Sequence, residues 1–257
     1  MMRALPLTIR RPNPSCRLRL LVLPHAGGSS AISVGWHAAL PADVEVVDVD
    51  LPARGGRIRE PPLASVDEYV ERLLLAHADA LSDRPLVIYG HSLGAIAGFE
   101  LSRRLVAGGT PPLQLVVSGR GAPHLPSRHA HVHHLPRADF LRALSELEGT
   151  PQAVLDDDEL MDLLLPALRA DFRISERYEY RPGPTSPVPL LVLAGRADRE
   201  VLPFEAAEWA RHTTAGCTVE TLPGGHFFPL TDPVPFLTIL ARAIRSAGAS
   251  SEAPGRA

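Results

Sequence analysis

A strand-like run that stops at a glycine, turns sharply and restarts as an amphipathic helix limits this chain to few architectures. Leu86-Val87-Ile88-Tyr89 has the apolar, β-branched density of a buried strand. Gly90-His91-Ser92-Leu93-Gly94 follows, and from Leu93 to Val106 the residues Leu93, Ile96, Ala97, Leu101 and Leu105 recur at helical spacing up to Gly108-Gly109. A turn this tight leaves no room for a side chain at either flanking glycine. It holds Ser92 in a strained conformation and lifts its hydroxyl above the sheet.

The rest of the chain repeats the alternation. Arg17 to Leu23 reads as a buried strand running into Pro24-His25-Ala26-Gly27-Gly28, and Val44 to Asp50 as a second. Leu113 to Ser118, Leu190 to Gly195 and Thr218 to Leu222 supply three more. Strands alternating with helices predict one α/β domain over residues 1–257, a mostly parallel sheet with helices on both faces. The stretch from Ser118 to Leu190 exceeds a single crossover. Arg137 to Leu147 and the segment from Asp156 to a kink at Pro166 read as helices within it, so residues 123–185 are expected to form a helical lid over the sheet. The Ser-, Gly-, Ala- and Pro-rich residues 248–257 are expected to be disordered.

Composition removes whole classes of chemistry. All 26 basic residues among the 257 are arginine, as a GC-rich genome favours. Without lysine there is no Schiff base, no phosphate-loop lysine and no Ser-Lys nucleophile pair. The formal charge is −3 and no run of five like charges occurs, which argues against a nucleic-acid tail. No apolar stretch approaches the roughly 18 residues of a membrane span, and Met1 to Arg11 lacks a signal-peptide core of roughly 7–15 residues. A cytoplasmic monomer with no membrane partner is expected. Cys16 and Cys217 read as incidental thiols.

A serine hydroxyl needs a base oriented by a third group, and behind such an elbow the chain order is serine, acid, histidine. Asp198 lies just beyond the strand Leu190–Gly195, where catalytic groups collect in open α/β sheets. His226 follows Thr218–Leu222 and the turn Pro223-Gly224-Gly225. Taken singly, Asp198 is an ordinary turn residue and His226 an ordinary surface histidine; with the elbow, and in this order, they complete a triad with Ser92. Asp171 and Asp232 follow no strand and are weaker acid candidates. The backbone N–H of Leu93 and one from the loop around Ala26 and Gly27 are the expected oxyanion donors. His25, Phe140 and Phe227 are candidates for contact with substrate or lid. His129, His131, His133 and His134 have no flanking acidic or cysteine ligands, and serine chemistry needs neither metal nor cofactor.

The chain resembles a type II thioesterase of the α/β-hydrolase superfamily. The resemblance rests on Leu23-Pro24-His25-Ala26-Gly27-Gly28, Gly90-His91-Ser92-Leu93-Gly94-Ala95, Ser118 to Pro123, Leu168 to Asp171, Tyr178 to Arg181 and Leu222 to Phe228. It implies hydrolysis of acyl thioesters on the phosphopantetheine arm of an acyl- or peptidyl-carrier protein, clearing stalled or misprimed polyketide and peptide synthases. It also places Ser92, Asp198 and His226 on the family's triad, and Leu93 and Ala26 on its oxyanion donors. An esterase or acyltransferase on free small molecules is the alternative, and a non-catalytic carrier-binding chaperone a more distant one. Arg54, Arg57 and Arg59, or Arg120 and Arg128, are candidates to meet an acidic carrier.

Overall fold

The runs read as strands pair in one sheet. The computed structural model describes residues 3–252, residues 11 and 148 excepted. Its strands are β1 (Leu7–Ile9), β2 (Leu18–Leu23), β3 (Val44–Val49), β4 (Leu86–His91), β5 (Gln114–Ser118), β6 (Leu190–Gly195) and β7 (Cys217–Leu222). They lie in the order β1-β3-β2-β4-β5-β6-β7, parallel except for β1. The chain steps outward from β2 to β3, then returns to place β4 on the other side of β2. The strand order therefore reverses between β2 and β4, and at such a point the loops beyond the strand ends part to form a crevice.

Alternating side chains divide the core into two layers. Leu21, Leu23, Ile88, Leu115, Val117 and Val192 pack on one face with α1 (Val66–Ser82) and α2 (Leu93–Ala107). Leu20, Val22, Val87, Tyr89, Val116, Leu191 and Leu193 pack on the other, against Phe236, Leu240 and Ile244 of the last helix (Pro233–Glu252). Between β5 and β6 the insertion carries α3 (Arg137–Glu146), α4 (Gln152–Leu155) and α5 (Asp158–Glu176). These bury a third cluster, Phe140, Leu144, Leu155, Met161, Leu165 and Leu168. α5 retains Pro166 and continues for ten further residues to Glu176. Beyond β6 come α6 (Pro203–Ala207), α7 (Phe228–Thr231) and the last helix, α8.

Two features depart from expectation. β1 has three residues, too few to show periodicity, and pairs antiparallel to β3 at the sheet edge. α8 extends to Glu252, so residues 248–252 are helical and not disordered; Ile244 and Ala247 anchor this end of the helix on the Leu18 layer. Residues 253–257 lie outside the described residues. Both cysteines are free. Among the described residues no helix is long and apolar enough to cross a membrane.

Arg19, which interrupts the apolar run of β2, sits in register opposite Glu45 of β3. Their side chains are only 8% and 7% exposed, and the guanidinium gives Glu45 Oε2 two bonds of 2.9 and 2.7 Å. Replacing one partner strands a buried charge. Arg19→Leu should cost about 3–5 kcal/mol in urea unfolding, and adding Glu45→Leu should recover most of that loss.

Candidate active site

The loops that follow β2, β4, β6 and β7 meet at the C-terminal edge of the sheet. Ser92, between β4 and α2, has φ 53° and ψ −110°, a region an L-residue adopts only when its surroundings force it. The force comes from the backbone. A Cβ at Gly90 would stand 2.0 Å from the Gly94 carbonyl oxygen, and one at Gly94 would stand 2.1 Å from that of Leu23. A Cβ at Gly90 would clash within the turn, as the sequence predicts, whereas Gly94 wedges the elbow against the end of β2. The Ser92 side chain makes no capping bond to α2.

Asp198 and His226 come from the adjacent strands β6 and β7, and their loops are laced together. Arg196 N–H donates to the Leu222 carbonyl at 2.7 Å and Ala197 N–H to that of Gly224 at 2.9 Å. The Asp198 carboxylate is fully buried, accepting Glu200 N–H at 2.8 Å and His226 Nδ1 at 3.1 Å. A carboxylate only accepts, so Nδ1 is the donor in this bond.

Two other imidazoles share the pocket. The His91 ring lies 5.1 Å from His226 and 5.8 Å from His25, centroid to centroid. Burial holds His91 well below the ordinary histidine range, and His226 and His25 push the same way. Its Nδ1 pairs with Ser118 Oγ at 2.8 Å, which in turn meets the Tyr89 hydroxyl at 2.9 Å. His25 is lowered to about 4, chiefly by burial, then by His226 and Arg54. Both stay neutral near pH 7. Only His226 has a carboxylate to support an imidazolium.

The loop after β2 adds backbone donors. Gly27 adopts φ 78°, and a Cβ there would stand 2.5 Å from Leu168 of α5. Its N–H is engaged by Asp171 Oδ2 at 2.8 Å. That bond occupies the Gly27 N–H; the Leu93 N–H begins α2 and has no partner within the helix.

The chain matches the thioesterase domain family over residues 18–247. It is 41% identical over 226 residues to thioesterase PikA5 of Streptomyces venezuelae, covering 86% of this chain and 80% of that protein. It is 33% identical to the gramicidin S biosynthesis protein GrsT of Aneurinibacillus migulanus, with 91% of each covered. The type II thioesterase BorB of the borrelidin cluster superposes with a TM-score of 0.85 at 38% identity, over 93% of this chain and 97% of that one. The chain belongs to the thioesterase family. It is a thioester hydrolase of the α/β-hydrolase fold, as the resemblance implied.

Other residues of the thioesterase depart from expectation. Phe140 is fully buried, packed on Phe172 with the Arg169 guanidinium 4.4 Å over its ring. It belongs to the insertion's own apolar cluster. Phe227 sits beside the imidazoles, 5.1 Å from His25 and 5.0 Å from His226, with its ring against Gly149 of the insertion. Arg54 is buried and paired with Asp171, which excludes both the carrier role for the arginine and the triad role for Asp171. Asp232 is exposed at the end of α7. Arg57 is tied to Glu60 at 2.6 Å and Arg120 to Ser175 at 2.9 Å; Arg128 is exposed but paired with Glu205 at 2.7 Å, and Arg59 is exposed.

The fold also supplies an acidic neighbour that the sequence flanking the histidine cluster lacks. His131, His133 and Glu176 bring three potential ligand atoms within 4.8 Å of one another. Glu176 already accepts Val132 N–H at 2.8 Å and contacts His133 Nδ1, so it anchors the loop to α5. A cavity of about 490 Å³ opens elsewhere, lined by Glu100, Arg103, Ile174 and Tyr178, with no triad candidate on its wall.

The neutral imidazoles make stability pH-dependent. His25 titrates near 4 when folded and near 6.5 when unfolded, so its contribution is complete above pH 6.5 and is lost as pH falls toward 4. Unfolding free energy should drop across that window. His25→Phe should reduce the slope by up to one proton, about 1.4 kcal/mol per pH unit, in urea titrations at stepped pH.

Proposed function

We propose that this thioesterase hydrolyses acyl groups from the phosphopantetheine arm of carrier proteins in polyketide or non-ribosomal peptide synthesis, through a Ser92–His226–Asp198 triad. The observation that carries the reading is the strained elbow at Ser92 beside a histidine whose Nδ1 is held by a buried carboxylate. The relatives support the pathway: one is a gramicidin S biosynthesis protein, and another comes from the borrelidin cluster.

Ser92 Oγ attacks the thioester carbonyl while His226 Nε2 takes its proton. Asp198 stabilises the resulting imidazolium. Leu93 and Ala26 N–H groups receive the charge that builds on the carbonyl oxygen. Collapse expels the pantetheine sulfur, which leaves with the proton from His226. Water, deprotonated by His226, then attacks the acyl-enzyme, and a carboxylic acid departs. Residues 123–185 act as a lid: Leu168 lies against Gly27 and Gly149 against Phe227, so the insertion roofs the reacting atoms and must shift to admit an acyl chain.

Ser92→Ala should lower kcat on acyl-carrier protein by at least about 10³-fold, and a fluorophosphonate should label wild type but not the variant. Unchanged turnover overturns the reading. A preference for p-nitrophenyl esters over acyl-carrier protein would favour the small-molecule esterase. Of the Arg54, Arg57 and Arg59 set, Arg59 is the exposed member offered to an acidic carrier. Arg59→Glu should raise KM for acyl-carrier protein several-fold and leave a small acyl thioester unaffected; equal effects on both rule out that contact.

A further inference from the structure

We infer that the buried Arg54–Asp171 pair is a positioning element that aims the Ala26 N–H at the developing oxyanion and links that aim to helix α5. The inference rests on the hydrolase site proposed above. Asp171, 1% exposed on α5, accepts two Arg54 bonds, from Nη1 to Oδ2 at 2.7 Å and from Nη2 to Oδ1 at 2.9 Å. Oδ2 also accepts Gly27 N–H at 2.8 Å. Arg54 Nη1 donates in addition to the Gly28 carbonyl at 2.8 Å, and Nε to that of Pro52 at 3.0 Å. The ion pair therefore grips the oxyanion loop by a donor on one residue and an acceptor on the next.

The grip reaches Ala26 through peptide geometry. Gly28 N–H donates to the His25 carbonyl at 2.9 Å. That carbonyl and the Ala26 N–H belong to one planar peptide unit and point in opposite directions, so fixing one fixes the other. Gly28 is held by Arg54, and Gly27 by Asp171 and the Leu168 side chain. A shift of α5 must drag this loop. A buried ion pair is weak evidence for stability, since apolar replacements of similar volume are often neutral. Fixing direction is what an apolar pair cannot reproduce, and donor direction decides oxyanion stabilisation.

Two double variants separate positioning from packing. Arg54→Met with Asp171→Leu removes both the charges and the acceptor of Gly27 N–H. Arg54→Gln with Asp171→Asn removes the charges but keeps an amide oxygen for Gly27 and an amide donor for Gly28. On acyl-N-acetylcysteamine, which involves no carrier, the Met/Leu variant should lose about 10–100-fold in kcat with KM changed less than about 3-fold. The Gln/Asn variant should recover most of that rate. A Met/Leu variant with wild-type kcat, or equal losses in both, overturns the inference. Wild type that fails to turn over the thioester overturns the proposed function instead. Amide exchange of the wild-type protein tests the tether without any variant or activity. Gly27 N–H should be protected as strongly as the helical amides around Asp171, and fast exchange at Gly27 against a protected α5 overturns the inference.

Discussion

The backbone contact between β2 and the start of α2 governs this enzyme. The Gly94 Cα lies so close to the Leu23 carbonyl that no side chain fits between them, and that approach brings Ser92 beside the loop that supplies Ala26. β2 and β4 are neighbours because the strand order reverses there, so Ser92 and the loop of Ala26, the proposed nucleophile and oxyanion donor, rise from adjacent strands. Asp198 and His226 likewise follow adjacent strands, β6 and β7, further along the same sheet. The sheet register fixes the spacing of all four groups. The connecting loops only refine it.

Electrostatics in the pocket is arranged by subtraction. The rings of His25 and His226 each lie against that of His91, and burial keeps His25 and His91 neutral. Of the three imidazoles, His226 is the one with a carboxylate, that of Asp198, beside it. The arginines of this lysine-free chain serve the scaffold in the same way. Arg19 joins β2 to β3, and Arg54 joins the oxyanion loop to α5. Planar forks with several fixed donors suit such inward roles better than a single ammonium.

Much of this was legible in the sequence because local patterns carry it. The elbow, six strands and the positions of Asp198 and His226 all follow from periodicity and strand-end placement. Other features were hidden because their causes lie far away in the chain. Asp171 meets partners 117 and 144 residues distant, and its neighbours say nothing of either. Glu176 joins His133 across 43 residues. Phe140 lies on an evident apolar stripe, yet the stripe does not say whether it faces the insertion's own core or the site. β1 is a strand only because Val47 to Val49 lies beside it.

The third apolar cluster has an evolutionary consequence. Helices α3 to α5 bury most of their apolar side chains among themselves, although Ile174 of α5 joins the layer under α1 and α2, so substitutions within the third cluster leave the strand layers undisturbed. The segment can be traded between related chains like a cassette. Its fastenings constrain the exchange, among them Asp171 and Leu168 at the loop after β2, Gly149 at Phe227, Ser175 at Arg120 and Arg128 at Glu205. A lineage that keeps such contacts can vary the roof over its active site while the strands beneath stay the same.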